Sequence, residues 1–559
     1  MNAERLLEHY EKIADAPDAV ARLRTFILDL AVRGKLVPQD REDEPASELL
    51  KRITQEKAQL ARAGEIRGPK DYSLDQSLKS TAPIGWQIVP LGQVVNRHLG
   101  GGTPSKNDGS YWGGNIRWAS VKDVGKTKYL DDTTDRITEE GLKNSSSNLI
   151  PPGNLIVVTR MGLGQLSINR VPVAINQDLR ALFLSSFVDI DFAYSFFLTY
   201  RLDGTGLTVK GIKLDELLSI PFPFPPLAEQ RRIVAKINEL MALCDQLEAA
   251  RTEREATRDR LAAASLTRLN SPDPQKFRDD ARFALEAMPV MTARPDQIRQ
   301  LRQTILNLAV RGKLVPQDPE ETVSSMPPLR QFAAASGIDN EVFEQFRGSI
   351  VLPSRWQIAP LARLADNIVD CPHTTPKWTD KGELCVRTNQ LRPRALDLSE
   401  PRYVSPQTYL ERIERLEPRT DDILYSREGG ILGIACRVPP GIRLCLGQRL
   451  MLIRAGAATR PDFLELVLNS AFITEIARIC TTGGAAPRVN MSTVRAYPIP
   501  LPPLAEQHRI VAKVDELMAL CDQLEASLKT AAETRRKLLH ALLNEALTSP
   551  VLEHKVAAE

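Results

Sequence analysis

The chain has 559 residues, of which 43% are hydrophobic and 26% charged, and its formal net charge is +3. That balance is ordinary for a soluble globular protein of three or four compact units, and it neither demands nor excludes nucleic acid as a partner. Seven scattered cysteines without a CxxC pair argue against a disulfide framework or a zinc ribbon, and no apolar run approaches the ~18 residues of a membrane span.

The N-terminal stretch MNAERLLEHYEKIADAPDAV is acidic and amphipathic and does not read as a signal peptide, so a reduced, cytosolic protein is expected. An apolar helix then leads into LAVRGKLVPQD at Leu30–Asp40, and Glu44–Gly64 reads as a charged amphipathic helix. GWQIVPL (Gly85–Leu91) opens a body of glycine, β-branched residues and turns over 84–226, the pattern of an irregular α+β domain. Within it, Asn154–Thr159 reads as a strand and IDFAYSFFLTYRL as a helix. PPLAEQ follows, with prolines and an acidic first turn that suit a helix start, and a helix runs from Leu227 to about Leu269. At ~1.5 Å per residue that helix is ~65 Å long.

The same order then repeats. LAVRGKLVPQD returns at Leu308–Asp318, RWQIAPL at Arg355–Leu361, a second body occupies 353–503, and PPLAEQHRIVAKVDELMALCDQLEA (Pro502–Ala526) matches Pro225–Ala249 at all but three positions. This is a tandem duplication of a long unit, suited to two domains rather than a solenoid. The division predicted is a helical region at 1–83, a body at 84–226, a long helix at 227–270 and a linking helical region at 271–352. A body at 353–503, a long helix at 504–548 and a tail at 549–559 complete it. Apolar residues alternate three and four apart along both helices, at Ile233, Ile237, Leu240, Cys244 and Leu247 and at Ile510, Val514, Leu517, Cys521 and Leu524. Such a heptad seam must be covered, and the two long helices are expected to pair with each other. Cys244 and Cys521 occupy equivalent points and are expected to be small buried apolar residues.

Catalytic motifs are missing. DVGKTK (Asp123–Lys128) lacks the first glycine of a phosphate loop, since Ser120 stands there, and HLGGG (His98–Gly102) has no accompanying nucleophile elbow. His373 beside Cys371 is an isolated pair, six histidines are too dispersed for a metal site, and no adenosylmethionine-binding or target-adenine motif occurs. Recognition remains. Loops carrying forked or hydroxyl side chains suit DNA, and the candidates are Thr103, Ser105, Lys106, Arg160, Gln165 and Lys210 in the first body. In the second they are Thr374, Thr375, Lys377, Arg387, Asn389, Arg427, Arg488 and Asn490.

WQI.PL at the start of each body, PPLAEQ.RIVAK(I/V)(N/D)ELMALCDQLEA at its end and LAVRGKLVPQD ahead of it together resemble the specificity subunit of type I restriction–modification systems. GGTPS…YWGG.I.W likewise resembles the start of a target recognition domain. The resemblance spans nearly the whole chain. It implies an α+β fold in which two target recognition domains are separated by two long helices paired as an antiparallel coiled coil, with pseudo-twofold symmetry from the tandem repeat. It also implies a non-catalytic chain that reads a bipartite, asymmetric site in double-stranded DNA and docks two methyltransferase subunits and restriction/translocase subunits. No cofactor or metal is implied for this chain; S-adenosylmethionine belongs to the methyltransferase partner, and ATP and Mg to the restriction partner. Two other readings stay open at this point: a bivalent protein-binding coiled-coil scaffold, and an unrecognised nuclease.

Overall fold

A computed structural model describes residues 15–66, 70–74, 82–202, 211–270, 276–323, 327–328, 337–429, 432–482 and 487–548. The chain forms two units, one comprising 1–253 with 532–559 and the other 254–531. The long helices run over Leu227–Asn270 and Leu504–Thr548, so each begins in one unit and ends in the other.

In the first unit, Gln87–Pro90 pairs antiparallel with Pro221–Phe224, so the body starts and finishes on adjacent strands. Prolines 221 and 223 alternate along a two-stranded ladder, where a missing N–H can face a free edge. Phe222 and Phe224 are fully buried. Between these strands lies a five-stranded sheet in the order Val95–Gly100, Leu179–Leu184, Asn154–Val158, Leu166–Asn169, Tyr129–Leu130. A four-stranded sheet has the order Asp135–Ile137, Trp112–Ala119, Val173–Ile175, Asn148–Ile150. The expected strand and helix are present at Asn154–Val158 and Ile190–Thr199, the latter capped by the Asp189 carboxylate, and the charged helix falls at Ala46–Arg62. Edge-to-face contacts of Phe192 with Trp86 (6.2 Å) and Phe222 (6.0 Å) seat the body on its flanks.

The second unit repeats the plan. Gln357–Pro360 pairs with Pro498–Leu501, and Ala365–Asp370, Leu450–Ala455, Ile423–Ser426 and Ala435–Arg437 form a sheet in the order of the first body's leading four strands. In a second sheet Glu383–Val386 runs parallel to Leu444–Leu446, as Trp112–Ala119 does to Val173–Ile175.

The three repeated motifs meet at one joint in each unit. Gly34 (φ +65°) and Gly312 (φ +64°) of the two VRGKL segments turn where a Cβ would lie 2.6 Å from Pro83 Cγ or 2.5 Å from Pro353 Cγ, and about 3 Å from the Trp86 or Trp356 ring. Only glycine suits that backbone and that approach. Trp356 Nε1 in turn donates to Glu506 Oε2 at 3.1 Å, and Trp86 faces Glu229 at the equivalent place in the first unit. The acidic first turn read from LAEQ is therefore a buried carboxyl and not a surface charge: Glu229 and Glu506 are 1% and 2% exposed. Burial pushes Glu229 up to about 7 and raises Glu506 as well. The neighbouring Gln230 accepts from Asp189 N–H at 2.7 Å and donates to the Pro225 carbonyl at 3.0 Å, and Gln507 does the same with Arg460 N–H and the Pro502 carbonyl. Arg232 clamps Asp43, as Arg509 clamps Glu321.

The predicted seam is buried over its first half, and the covering element is the short helix of the same repeat. Ile233, Ile237 and Cys244 share a core with Ile27, Leu28 and Ala31 of helix Ala19–Val32, and Leu240 packs against it. Ile510, Val514 and Cys521 share one with Ile298, Ile305 and Ala309 of helix Pro295–Val310, and Leu517 packs there. Leu247 and Leu524 were expected in the seam but lie on the surface, 39% and 38% exposed. The far end of each helix is covered differently: Leu539, Leu542 and Leu543 pack on Ala16, Ala19 and Phe26, and Ala262, Leu266 and Leu269 on Ala284, Ala287 and Met291.

Candidate nucleic-acid interface

Corresponding loops gather at the strand ends of each body. In the first, Thr103 Oγ1 donates to Gln177 Oε1 at 2.5 Å, tying the GGTPS loop to the turn after Val173–Ile175. In the second, Gln448 Nε2 donates to Thr375 Oγ1 at 2.8 Å and to the His373 carbonyl at 3.0 Å, tying the HTTPK loop to the turn after Leu444–Leu446. Gln177 and Gln448 are thus equivalent, and neither was singled out from sequence. The glycines of HLGGG serve this packing: a Cβ on Gly101 would lie 1.8 Å from the Ile175 carbonyl oxygen, and one on Gly102 2.0 Å from Ser146 Oγ. They bring a loop against a strand, which accounts for the likeness to an oxyanion loop.

Two further turns join each cluster. Ser120 N–H donates to Asp123 Oδ2 at 2.9 Å, and Arg387 N–H to Gln390 Oε1 at 2.9 Å, so the turns SVKD and RTNQ share one geometry. Burial opposes ionisation of Asp123, but hydrogen bonds from Ser120 and Thr134 win and hold it below the usual carboxylate range. DVGKTK therefore belongs to this structural turn, with Gly125 (φ +83°) against Gln165. The loop RMGLGQ then exposes Arg160, Met161 (67% exposed, φ 59°) and Gln165 beside it. Arg160 lies 3.8 Å from Asp178.

The second body departs most at Arg427, a predicted DNA contact. Its guanidinium is 7% exposed and grips Asp370 through Nε (3.1 Å) and Nη2 (2.6 Å), with a further bond to the Val489 carbonyl. A cation already paired and buried this way holds two loops together and is not presented to a ligand. Those loops are laced by the backbone, Val489 N–H donating to Arg427 and Gly429 N–H to Pro487, which leaves the Arg488 and Asn490 side chains exposed beside them. Ser105, Lys106, Lys377 and Asn389 are exposed, and Thr374 is exposed while its carbonyl accepts from Arg412. Lys210 lies outside the described residues. Beside Thr375, a cleft of about 320 Å³ is lined by Pro376, Trp378, Arg387, Thr388, Arg402, Gln448 and Arg449. Arg387 stands 5.7 Å from the Trp378 ring centre. Clusters of forked donors, hydroxyls and amides of this kind suit phosphates and base edges.

The Methylase_S family, the type I restriction modification DNA specificity domain, matches residues 83–256 and 405–534, more than half the chain. The protein belongs to this family of specificity subunits and is a non-catalytic component of its class. Among relatives, it is 26% identical to the type I restriction enzyme EcoEI specificity subunit and 27% identical to that of EcoAI, both from Escherichia coli, each alignment covering 94% of both chains. The crystal structure of the HsdS subunit from Thermoanaerobacter tengcongensis aligns over 85% of this chain and all of the other at 17% identity, with a TM-score of 0.41.

Proposed function

We propose that this chain reads a bipartite, asymmetric sequence in duplex DNA, one half with the body at 84–226 and the other with the body at 353–503. The observation that carries this is a shared frame with different side chains. Both bodies tie a Thr-Pro loop to a glutamine turn, yet the groups around the tie differ, with exposed Arg160 and Gln165 in one and half-buried Arg387 with exposed Arg402 and Arg449 in the other. Two frames with unlike contacts suit two unlike half-sites.

On this reading the two long helices pair antiparallel and set the gap between half-sites. Two methyltransferase subunits, bringing S-adenosylmethionine, dock on the helices, and restriction/translocase subunits, bringing ATP and Mg, join them in the cytoplasm. Support for docking comes from the copies themselves. Leu243 and Leu520 are 47% and 48% exposed, so the two helices present matching apolar positions to one kind of partner.

The test is to express the chain with its methyltransferase and map the modified adenines, then replace residues 84–226 with another body. A motif in two separated parts, of which the exchange alters one, is the expected result. Modification without sequence preference, or a change in both parts, would overturn it. The scaffold reading would instead leave duplex DNA binding absent at low salt.

A further inference from the structure

Resting on that reading, we propose that Arg449 recognises a guanine in the half-site of the second body, its guanidinium forked onto O6 and N7 in the major groove. Arg449 lines the cleft with Arg387 and Arg402, and no carboxylate is among the lining residues. It is exposed, and its backbone holds φ +69°, a left-handed conformation costly for a residue with a Cβ. The turn imposes this conformation because Gln448 is fixed to Thr375 and the His373 carbonyl, while Leu450 re-enters the sheet opposite Ser426. The residue between is presented at the rim.

A phosphate contact would also use an arginine, and the first body separates the two cases. The turns after Val173–Ile175 and Leu444–Leu446 are equivalent, each placing a glutamine on the threonine of the Thr-Pro loop. The residue after that glutamine is Asp178 in one body and Arg449 in the other. Asp178 is 9% exposed, accepts from Asn176 Nδ2 at 3.3 Å and lies 3.8 Å from Arg160, so its carboxylate is turned into the body. Both bodies face the same anionic backbone, so a position serving phosphate needs a cation in both. At this turn only the second body presents a cation outward, Asp178 being turned in, and a position presented in one body alone is suited to the part of the contact that differs, the base edge. Among base edges, the paired acceptors of guanine match a guanidinium fork.

The experiment uses the full chain assembled with its methyltransferase and a duplex carrying the mapped motif. Arg449→Ala is expected to lose discrimination at one G·C position of the second half-site by about 5- to 150-fold, the range of one bidentate base contact, with the first half-site unaltered. Replacing that guanine with 7-deazaguanine removes the N7 acceptor, and should weaken wild-type binding while leaving Arg449→Ala indifferent. Three results would overturn the proposal: uniform weakening across all sequences with a shallower salt dependence, which marks a phosphate contact; an unchanged motif; or wild-type binding insensitive to 7-deazaguanine. A wild-type complex that ignores DNA sequence would remove the DNA-reading assignment and this inference with it, a result distinct from the other three.

Discussion

Glu229 combines a carboxyl 1% exposed, a tryptophan facing it and an Arg232–Asp43 pair alongside. Burial raises it to about 7, so the folded state favours its protonated form more than the unfolded chain does. The stabilisation this gives is complete below the ordinary carboxylate range and is lost as pH rises through about 7. Glu229→Gln, a neutral isostere, should flatten the fall in thermal midpoint between pH 5 and pH 8; an identical slope in wild type and variant would show that another group sets it. Residues also mark where the sequence fell silent. Arg427 sits in a glycine loop that reads as a contact, but its partner Asp370 is 57 positions away on another strand, and no local pattern announces that pairing. Gln177 and Gln448 were missed for a related reason: each is an ordinary polar residue in a turn, and only the loop packed against it gives it a role.

Secondary elements were far more legible. The helix at Ala46–Arg62, the strand at Asn154–Val158 and both long helices follow from periodicity and from the proline and cap residues. Periodicity names a buried face but not the element that buries it, which is why the seam's cover had to come from the fold. Helix packing also sorts the identical residues. Asp245 and Glu248 pair with Arg24, and Asp522 and Glu525 with Arg302, equivalent contacts that account for those identities. Leu243, Leu247, Leu520 and Leu524 have no such account, being exposed. Leu520→Glu with Leu524→Glu should leave thermal unfolding nearly unchanged, within about 0.5 kcal/mol as surface changes usually are. The same pair should reduce the methyltransferase count from two to one in sedimentation, and Leu243→Glu with Leu247→Glu should remove the other. Full occupancy in both variants would move the docking face elsewhere.

For the whole molecule, the duplicated order of motifs was readable because near-identical words recur, whereas the grouping into two units was not. Each unit takes the end of the other repeat's long helix, and that exchange depends on tertiary packing. It bears on spacing. Inserting four residues within 250–262 adds ~6 Å and little more than one helical turn, so the body's facing is nearly kept. The favoured gap between half-sites should lengthen by about two base pairs at ~3.4 Å each. Adenine mapping on the variant reads this directly, and an unaltered gap would mean the helix does not set it.

The ladder joining Gln87–Pro90 to Pro221–Phe224, and its twin in the second repeat, makes each body a closed excursion from the helical frame. The chain departs and returns through hydrogen-bonded neighbours, so the number of residues spent outside leaves the phase of the following helix untouched. Loops can therefore be grown, shortened or recoloured in charge without a compensating change in the frame. A protein built this way can acquire new preferences while its assembly surface stands still.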